Sequence, residues 1–553
     1  MNKNRWYFWA ALTIIVCSSC KKELNVGNPN QPTVATNASS ESGIVALASG
    51  GVYINGFSNG DGWLGNSYFS LPYGYAELLG DMVGNEGASN QLISQVNVPN
   101  YYILDDGSKV TNSSWNKSTL RLNNTRAQTG AGYNPTYYQW LNMYALNNAC
   151  NQVLVLIPTI KFSGDTTTKA NTLKAWCYWW KGYAYASIGS MYYSGLLIDT
   201  YGKTTDHYVV KDSILARSDY YYNQAATLLG SITNTSDYST ILGQLIPAFC
   251  QVGNGGVLTP AMWIRNINTM LARNLLLNKL APFVNGNPSA MISGGSMTAM
   301  SSSDWTNVLN LATNGIKQGD YVFTGRASSA SGFFTAAGGT VSALATGPNG
   351  STTFKVGERF LQYFKTGDLR MSTNFNSNTK YNADFFTTRY SMISGGTGTS
   401  GVYVYGDKTP GAYELFIAGS YEENALMLAE ANIRLGNISQ GLSYVDAIRT
   451  YQGAGISAVS GTVTTLAGAL QELVAERRVA LAFRGLSYYD IRRWGWTYDI
   501  SQGGGSYHNT VFGTTLNTNV TINYNFLDYW DVPADESVLN PPGSGSAPVL
   551  NPN

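Results

Sequence analysis

Three stretches of this 553-residue chain set large aromatic rings among amides and glycines. "SNGDGWLGNSYFSLPYGY" (Ser58–Tyr75) places Trp63 between Asp61 and Asn66. "TNSSWNKS" (Thr111–Ser118) carries Trp115, and "SGFFTAAGG" (Ser331–Gly339) carries Phe333 and Phe334. An aromatic face covers the apolar C–H face of a sugar ring, while Asn, Asp or Gln groups meet its hydroxyl edge. These residues therefore offer non-covalent capture of a neutral, hydroxyl-rich ligand. The plainer alternative is that each ring plugs its loop onto the core.

Covalent chemistry has few candidates. Glycoside hydrolysis needs two carboxylates roughly 5–10 Å apart. The adjacent acids are Asp105–Asp106, Glu422–Glu423 and Asp535–Glu536, and sequence neighbours of this kind are usually solvated or capping charges. The two histidines, His207 and His508, are far apart, which leaves little for a metal cluster or a Ser-His-Asp site. No glycine loop with lysine cradles a phosphate. The expectation is a binding protein with no catalytic residue, no metal and no cofactor.

Composition agrees. The chain has 34 Lys+Arg against 33 Asp+Glu, so nothing favours a polyanion partner such as nucleic acid. Charged residues make up only 12%, against about a quarter in ordinary domains, while aromatics reach 13% with 38 Tyr. Polarity comes from Asn, Ser, Thr and Gly instead. Length alone would allow about three or four domains, but no proline-rich or charged linker divides the chain. One large domain over 34–553 is the expectation, with two interlocked halves as the alternative.

The N-terminus is organised differently. Lys3 and Arg5 precede an uncharged apolar run, Trp6–Val16, then Ser18, Ser19 and Cys20. Basic, apolar, then small residues is the order of a secretory signal. The run is about half of the roughly 20 residues that span a bilayer. It resembles a bacterial lipoprotein signal, in which 1–19 is removed and Cys20 becomes the lipidated N-terminus. Cys17 stands where such signals usually have leucine, and an ordinary signal cut with Cys20 incidental is the alternative. Residues 20–33, with Asn, Gly and Pro, read as a tether. Cys150, Cys177 and Cys250 read as buried thiols; a single disulfide would need a pair that the sequence does not select.

Helices must position the loops. Tyr137–Pro158 carries Leu141, Tyr144, Ala145, Ala149 and Leu156 on one stripe, with Asn148 as a buried amide and Pro158 as the stop. Thr172–Tyr193 is apolar nearly all round and reads as central. Ala216–Ile232, Thr259–Leu280 and Asp304–Gln318 follow as further helices. Gly419–Tyr451 reads as a hairpin. Ser420 and Glu423 form a capping box, Gly436 stops the first helix, and Ser439 caps the second. Glu423, Glu430 and Arg434 share its polar side, with Glu430 and Arg434 paired four apart. Small residues at the crossing resemble a tetratricopeptide unit, which must stack to bury its apolar face. Long loops rich in Gly, Ser and Thr separate the helices at Val284–Ser303, Ala327–Thr353 and Ser391–Gly401.

"LQELVAERRVALAFRGLSYYDIRRWG" (Leu470–Gly495) reads as a helix through about Arg484, a break at Gly485, and a second helix ending at Trp494. Its arginines and acids read as structural ion pairs with Trp494 packed beneath. Glu476, Arg477, Leu481, Phe483, Gly485, Asp490, Ile491, Arg493 and Trp494 resemble the C-terminal signature of the SusD/RagB family, the surface nutrient-binding lipoproteins of Bacteroidetes. Ala480 and Arg484 replace glutamates of that pattern and Ser487 replaces an arginine, which implies a rewired ion-pair network. Lys21, Lys22 and Glu23, Ala425–Asn437 and Leu527–Pro542 also look like family segments.

The resemblance implies a mainly α fold, with tetratricopeptide-like units on one side, irregular ligand-binding loops on the other, and little β structure. It implies a lipid-anchored outer-membrane protein facing the cell exterior. Such a protein binds an oligosaccharide or polysaccharide and delivers it to a TonB-dependent channel of the SusC type. Peptide ligands on the same architecture, a surface glycoside hydrolase and a structural adhesin are the alternatives. Ligand sites vary within the family, so Asp61, Trp63, Asn66, Trp115, Phe333 and Phe334 rest on loop context alone.

Overall fold

In the computed structural model of the chain, the described residues are 38–57, 72–85, 99–112, 121, 124, 135–282, 295–325, 354–377, 381–383, 386–393, 399–405, 416–512 and 515–553. Helices dominate them. The first eight are α1 (Glu41–Phe57), α2 (Pro72–Leu79), α3 (Pro135–Leu156), α4 (Thr166–Met191), α5 (Lys211–Gly230), α6 (Thr235–Leu245), α7 (Pro260–Leu277) and α8 (Ser302–Thr313). Then come α9 (Glu358–Leu361), α10 (Leu369–Asn374), α11 (Tyr421–Arg434), α12 (Ile438–Tyr451), α13 (Leu466–Ala480), α14 (Ser487–Arg493) and α15 (Ala534–Leu539). Several starts are set by caps: Asp165 accepts from Thr167 and Thr168 N–H, Thr259 from Met262 N–H, and Ser301 with Asp304 closes a capping box. None of the described helices is long and apolar enough to cross a membrane.

Strands are few and short. β1 (Val83–Asn85) pairs antiparallel with β4 (Phe354–Val356), Gly84 facing Lys355. β2 (Tyr101–Ile103), β3 (Lys109–Thr111), β5 (Ser506–Phe512) and β6 (Thr515–Asn523) form a four-stranded sheet in the order β5-β6-β2-β3. The remaining ladders are two-stranded.

As expected, α4 is the centre. Trp176, Trp179, Trp180, Ala184, Tyr185 and Ile188 on it are all buried, and it packs on α3, α5 and α6. The helices stack in neighbouring pairs: α7 on α5 and α8, and α11 on α8, α12 and α13. The α11–α12 hairpin shows why a repeat unit needs small residues. A side chain on Gly441 would put its Cβ 2.6 Å from Ile433 Cγ1.

Three helical details differ from expectation. The buried face of α3 is Trp140, Met143, Leu146, Cys150 and Val153, whereas Leu141 is 46% exposed and Ala145 faces solvent. Asn148 is exposed too; the buried amides include Asn147 and Asn151, which accept from the ammonium of Lys181 at 2.7 and 2.5 Å. A buried lysine on α4 therefore set the rotation of α3, a constraint that a wheel of apolar residues does not contain. Second, α13 ends at Ala480, not near Arg484. Third, α12 begins from Asn437 with no side-chain cap, and Ser439 lies inside its first turn.

On α11 only half of the capping box forms. Ser420 Oγ accepts from Glu423 N–H, but the Glu423 carboxylate turns away to Arg273. Gly436, at φ 90°, supplies the left-handed stop as expected. The polar side of this helix is not solvated. Glu422, Glu423 and Glu430 are all buried, and Glu430 pairs with Arg493 at 2.6 Å while Arg434 stands 3.9 Å away.

Candidate ligand-binding surface

The signature builds the frame from within. Arg493 holds Glu430 through both guanidinium nitrogens, at 2.7 and 2.6 Å, and gives its Nε–H to Asp490 at 2.8 Å. Arg477 holds the same Asp490 at 2.9–3.0 Å. Glu476 accepts from Arg370 at 2.6 Å and from Arg449 at 3.0 Å. Burial opposes charge on Glu430 and Asp490, yet the facing guanidinium groups hold both carboxyls below the usual range. Trp494 packs beneath as expected, its ring centre 5.1 Å from Arg493 Cζ.

The departures from the family pattern lie at the turn between α13 and α14. Arg484 donates to Glu422 and to Ser420 Oγ, each at 2.8 Å, so it reaches the N-terminus of α11. Ser487 donates to Ala76 O at 3.0 Å, against a bare Gly80 whose Cβ would stand 2.5 Å from Ser487 Cβ. Phe483 is left-handed at φ 61°, which costs a non-glycine residue roughly 1–2 kcal/mol. The Glu77 carboxylate of α2 holds this turn by accepting the N–H groups of Phe483, Gly485 and Leu486 at 3.1, 2.7 and 3.2 Å.

Burial pushes the Glu77 carboxyl up from 4.5 to about 7, against the pull of the Gly485 and Phe483 N–H groups. A carboxyl raised on folding contributes fully below its unfolded pKa and loses that contribution as pH rises through the folded value. Glu77→Gln, which keeps an acceptor and cannot ionise, should flatten the stability profile between pH 4.5 and 7, with wild type losing ground to it on the alkaline side. Urea midpoints across that range check the difference.

Asp61, Trp63, Asn66, Trp115, Phe333 and Phe334 lie outside the described residues, as does Cys20. The structure does fix the anchors of the segments that carry them. On the entry side, Tyr53 of α1 packs on Trp176 and Trp180 at 6.2 and 6.4 Å, five residues before position 58. Phe323 sits among Trp176, Trp179, Trp180 and Trp263 at 4.9–5.8 Å, shortly before position 326.

A single buried cluster holds the rest of the frame. Arg359, just after β4, donates to Asp81 Oδ2 at 2.6 Å and to Tyr102 Oη on β2 at 3.1 Å. Tyr524, just after β6, donates to the same Asp81 at 3.0 Å. Asp81 follows α2, β4 leads into α9, and β2 pairs with β3 ahead of position 113. Anchors of all three aromatic stretches therefore meet at one carboxylate. Pairs such as Asp81–Arg359 span 278 positions, so no local pattern announces them.

A concavity of about 680 Å³ lies between α5, α7 and α8. Asn223, Asn274, Asn278, Asn307 and Asn310 line it, with Asp219, which burial raises to about 6. Glu422 and Glu423 are sequestered in ion pairs with Arg484 and Arg273. At the surface Asp105 accepts the N–H groups of Thr518 and Asn519 on β6, and Asp106 that of Ser108. No group of three His, Cys, Asp or Glu that could hold a metal ion occurs among the described residues.

Residues 421–541 match the SusD_RagB family model, described as the SusD family. Over that C-terminal segment the chain resembles the SusD family. Its fold agrees with solved SusD structures. A SusD superfamily protein from Parabacteroides distasonis is similar at TM-score 0.52 and 13% identity, over 91% of this chain and 98% of that one. One from Bacteroides vulgatus is similar at 0.52 and 14%, over 92% and 98%. A third structure, solved with xylogluco-oligosaccharide, is similar at 0.50 and 15%, over 91% and 99%. At these identities the likeness is one of fold. No curated protein matches the sequence. The signature residues of α13 from Leu473 to Ala480, and all of α14, are buried, so their arginines are framework and not a ligand surface.

Proposed function

We propose that this protein is a surface lipoprotein that binds a neutral oligosaccharide or polysaccharide and delivers it to a SusC-type TonB-dependent channel of the outer membrane. Lipid on Cys20 tethers it there, facing the exterior, and the body does no covalent chemistry. The observation that carries the proposal is the SusD-family match over 421–541 within a fold shared, over 91% of the chain, with a structure holding xylogluco-oligosaccharide. The aromatic and amide composition of the anchored segments supports a glycan in preference to peptide.

The test is binding of the soluble body to a panel of polysaccharides and peptide mixtures by affinity electrophoresis and calorimetry. Saturable glycan binding is expected, with Trp63→Ala or Trp115→Ala weakening it about tenfold, or about 1.4 kcal/mol. Binding of peptides alone would overturn the ligand class. Release of reducing ends from a bound glycan would make the protein an enzyme and overturn the capture role.

A further inference from the structure

Two neighbouring arginines on α13 are buried, and their counter-charges do not match. Arg477 is paired with Asp490. Arg478, 4% exposed, donates to Gly80 O at 3.0 Å, and its Cζ lies 5.0 and 5.8 Å from the ring centres of Tyr363 and Trp496. Among the described residues no carboxylate pairs with Arg478. Ring faces attract a cation but do not neutralise it. Where α11, α13 and α14 meet, the buried guanidinium groups of Arg477, Arg478 and Arg493 therefore face only the carboxylates of Glu430 and Asp490.

The hydrogen bonds show the same deficit. Arg477 Nη1, Arg478 Nε and Arg478 Nη1 are buried with no acceptor among the described residues. Both side chains line one cavity of about 10 Å³. That is room for a single water-sized occupant. The other walls select its chemistry. Met82, Leu481 and Leu486 are apolar. Asp490 already receives four hydrogen bonds from Arg477 and Arg493, which fills the roughly four acceptor positions of a carboxylate. Ser487 gives its proton to Ala76 O. A water here would have to place two protons of its own, with little beyond the Ser487 oxygen to take them. The donors left over are guanidinium N–H groups, so the matching occupant only accepts and carries negative charge.

We infer that Arg477 and Arg478 hold a monatomic anion, chloride or another halide, in this cavity, as a counter-ion built into the junction of α13 and α14. Hydrogen bonds from a guanidinium group to an anion are roughly twice as strong as neutral ones. A buried cation without an opposite charge is costly, so the ion removes a penalty that the chain's own carboxylates leave standing. The cavity exists only in the folded chain, and ion concentration is thereby coupled to stability.

Two measurements on the mature chain test this. The first is the urea midpoint as sodium chloride replaces sodium gluconate at constant ionic strength. Each tenfold rise in chloride should raise the ratio of folded to unfolded chains up to about tenfold, because gluconate is too large for the cavity. The second is anomalous diffraction from crystals grown with sodium bromide, where a peak is expected between Arg477 and Arg478. Arg478→Met removes the unmatched charge and should abolish both the chloride response and the peak. If that variant does not fold, the two wild-type measurements decide alone. Density at the site without an anomalous signal identifies a water and overturns the inference, as does a midpoint that does not rise with chloride. A bromide peak without a chloride response marks an adventitious ion only, and overturns it too.

Discussion

Replacing Arg493 with Met should destabilise the protein by about 3–5 kcal/mol, because it strands a buried charge. Glu430 and Arg493 are both fully enclosed, at 0% side-chain exposure. Without the guanidinium, Glu430 keeps only Arg434 at 3.9 Å, too far for a hydrogen bond. Asp490 fares better, since Arg477 still holds it. A loss of this size is a large share of the 5–15 kcal/mol that ordinary domains possess. The pair itself need not be a net gain over apolar packing. The double variant Arg493→Met with Glu430→Met should therefore recover much of the loss. Chemical denaturation of both singles and the double completes a thermodynamic cycle. A single variant within 1 kcal/mol of wild type would show that the buried network is not what holds α11 to α14.

Arg359→Met should cost a similar amount, about 3–5 kcal/mol, by stranding Asp81. Its second effect is the informative one. Arg359 joins Asp81 to Tyr102, Tyr524 donates to the same Asp81, and the elements of Asp81, Tyr102 and Arg359 border the three aromatic stretches. Glycan affinity should fall further in this variant than in Arg493→Met at matched stability. Tyr524→Phe removes one hydrogen bond and should cost only about 1 kcal/mol. Denaturation midpoints and calorimetry on the same preparations separate the two effects. Unchanged affinity in folded Arg359→Met would disconnect the cluster from binding.

What the sequence made legible was local. The α11 start at Ser420, its stop at Gly436, the central α4 and the signature order all rest on residues within a turn or two of each other. The rotation of α3 was not legible, because Asn147 and Asn151 face inward to meet Lys181, 34 and 30 positions away. Glu430 read as the partner of Arg434, four residues on, because Arg493, which holds it, lies 63 positions away. The candidate ring residues were legible only as composition. The structure adds the anchors of their segments, through contacts distant in sequence, such as Arg359 to Asp81 across 278 positions and Tyr524 to Asp81 across 443.

A chain with only 12% charged residues spends a good part of them indoors: Arg370, Arg477, Arg492 and Arg493 rank among the largest fully enclosed side chains. Fewer charges remain for the exterior as a result. Dissolved salt screens exposed charge over about 8 Å at physiological strength, and a charge-poor chain gives it less to act on. Encounter with an uncharged ligand would then proceed by plain diffusion, at a rate indifferent to ionic strength and without the long-range steering that charged clefts provide.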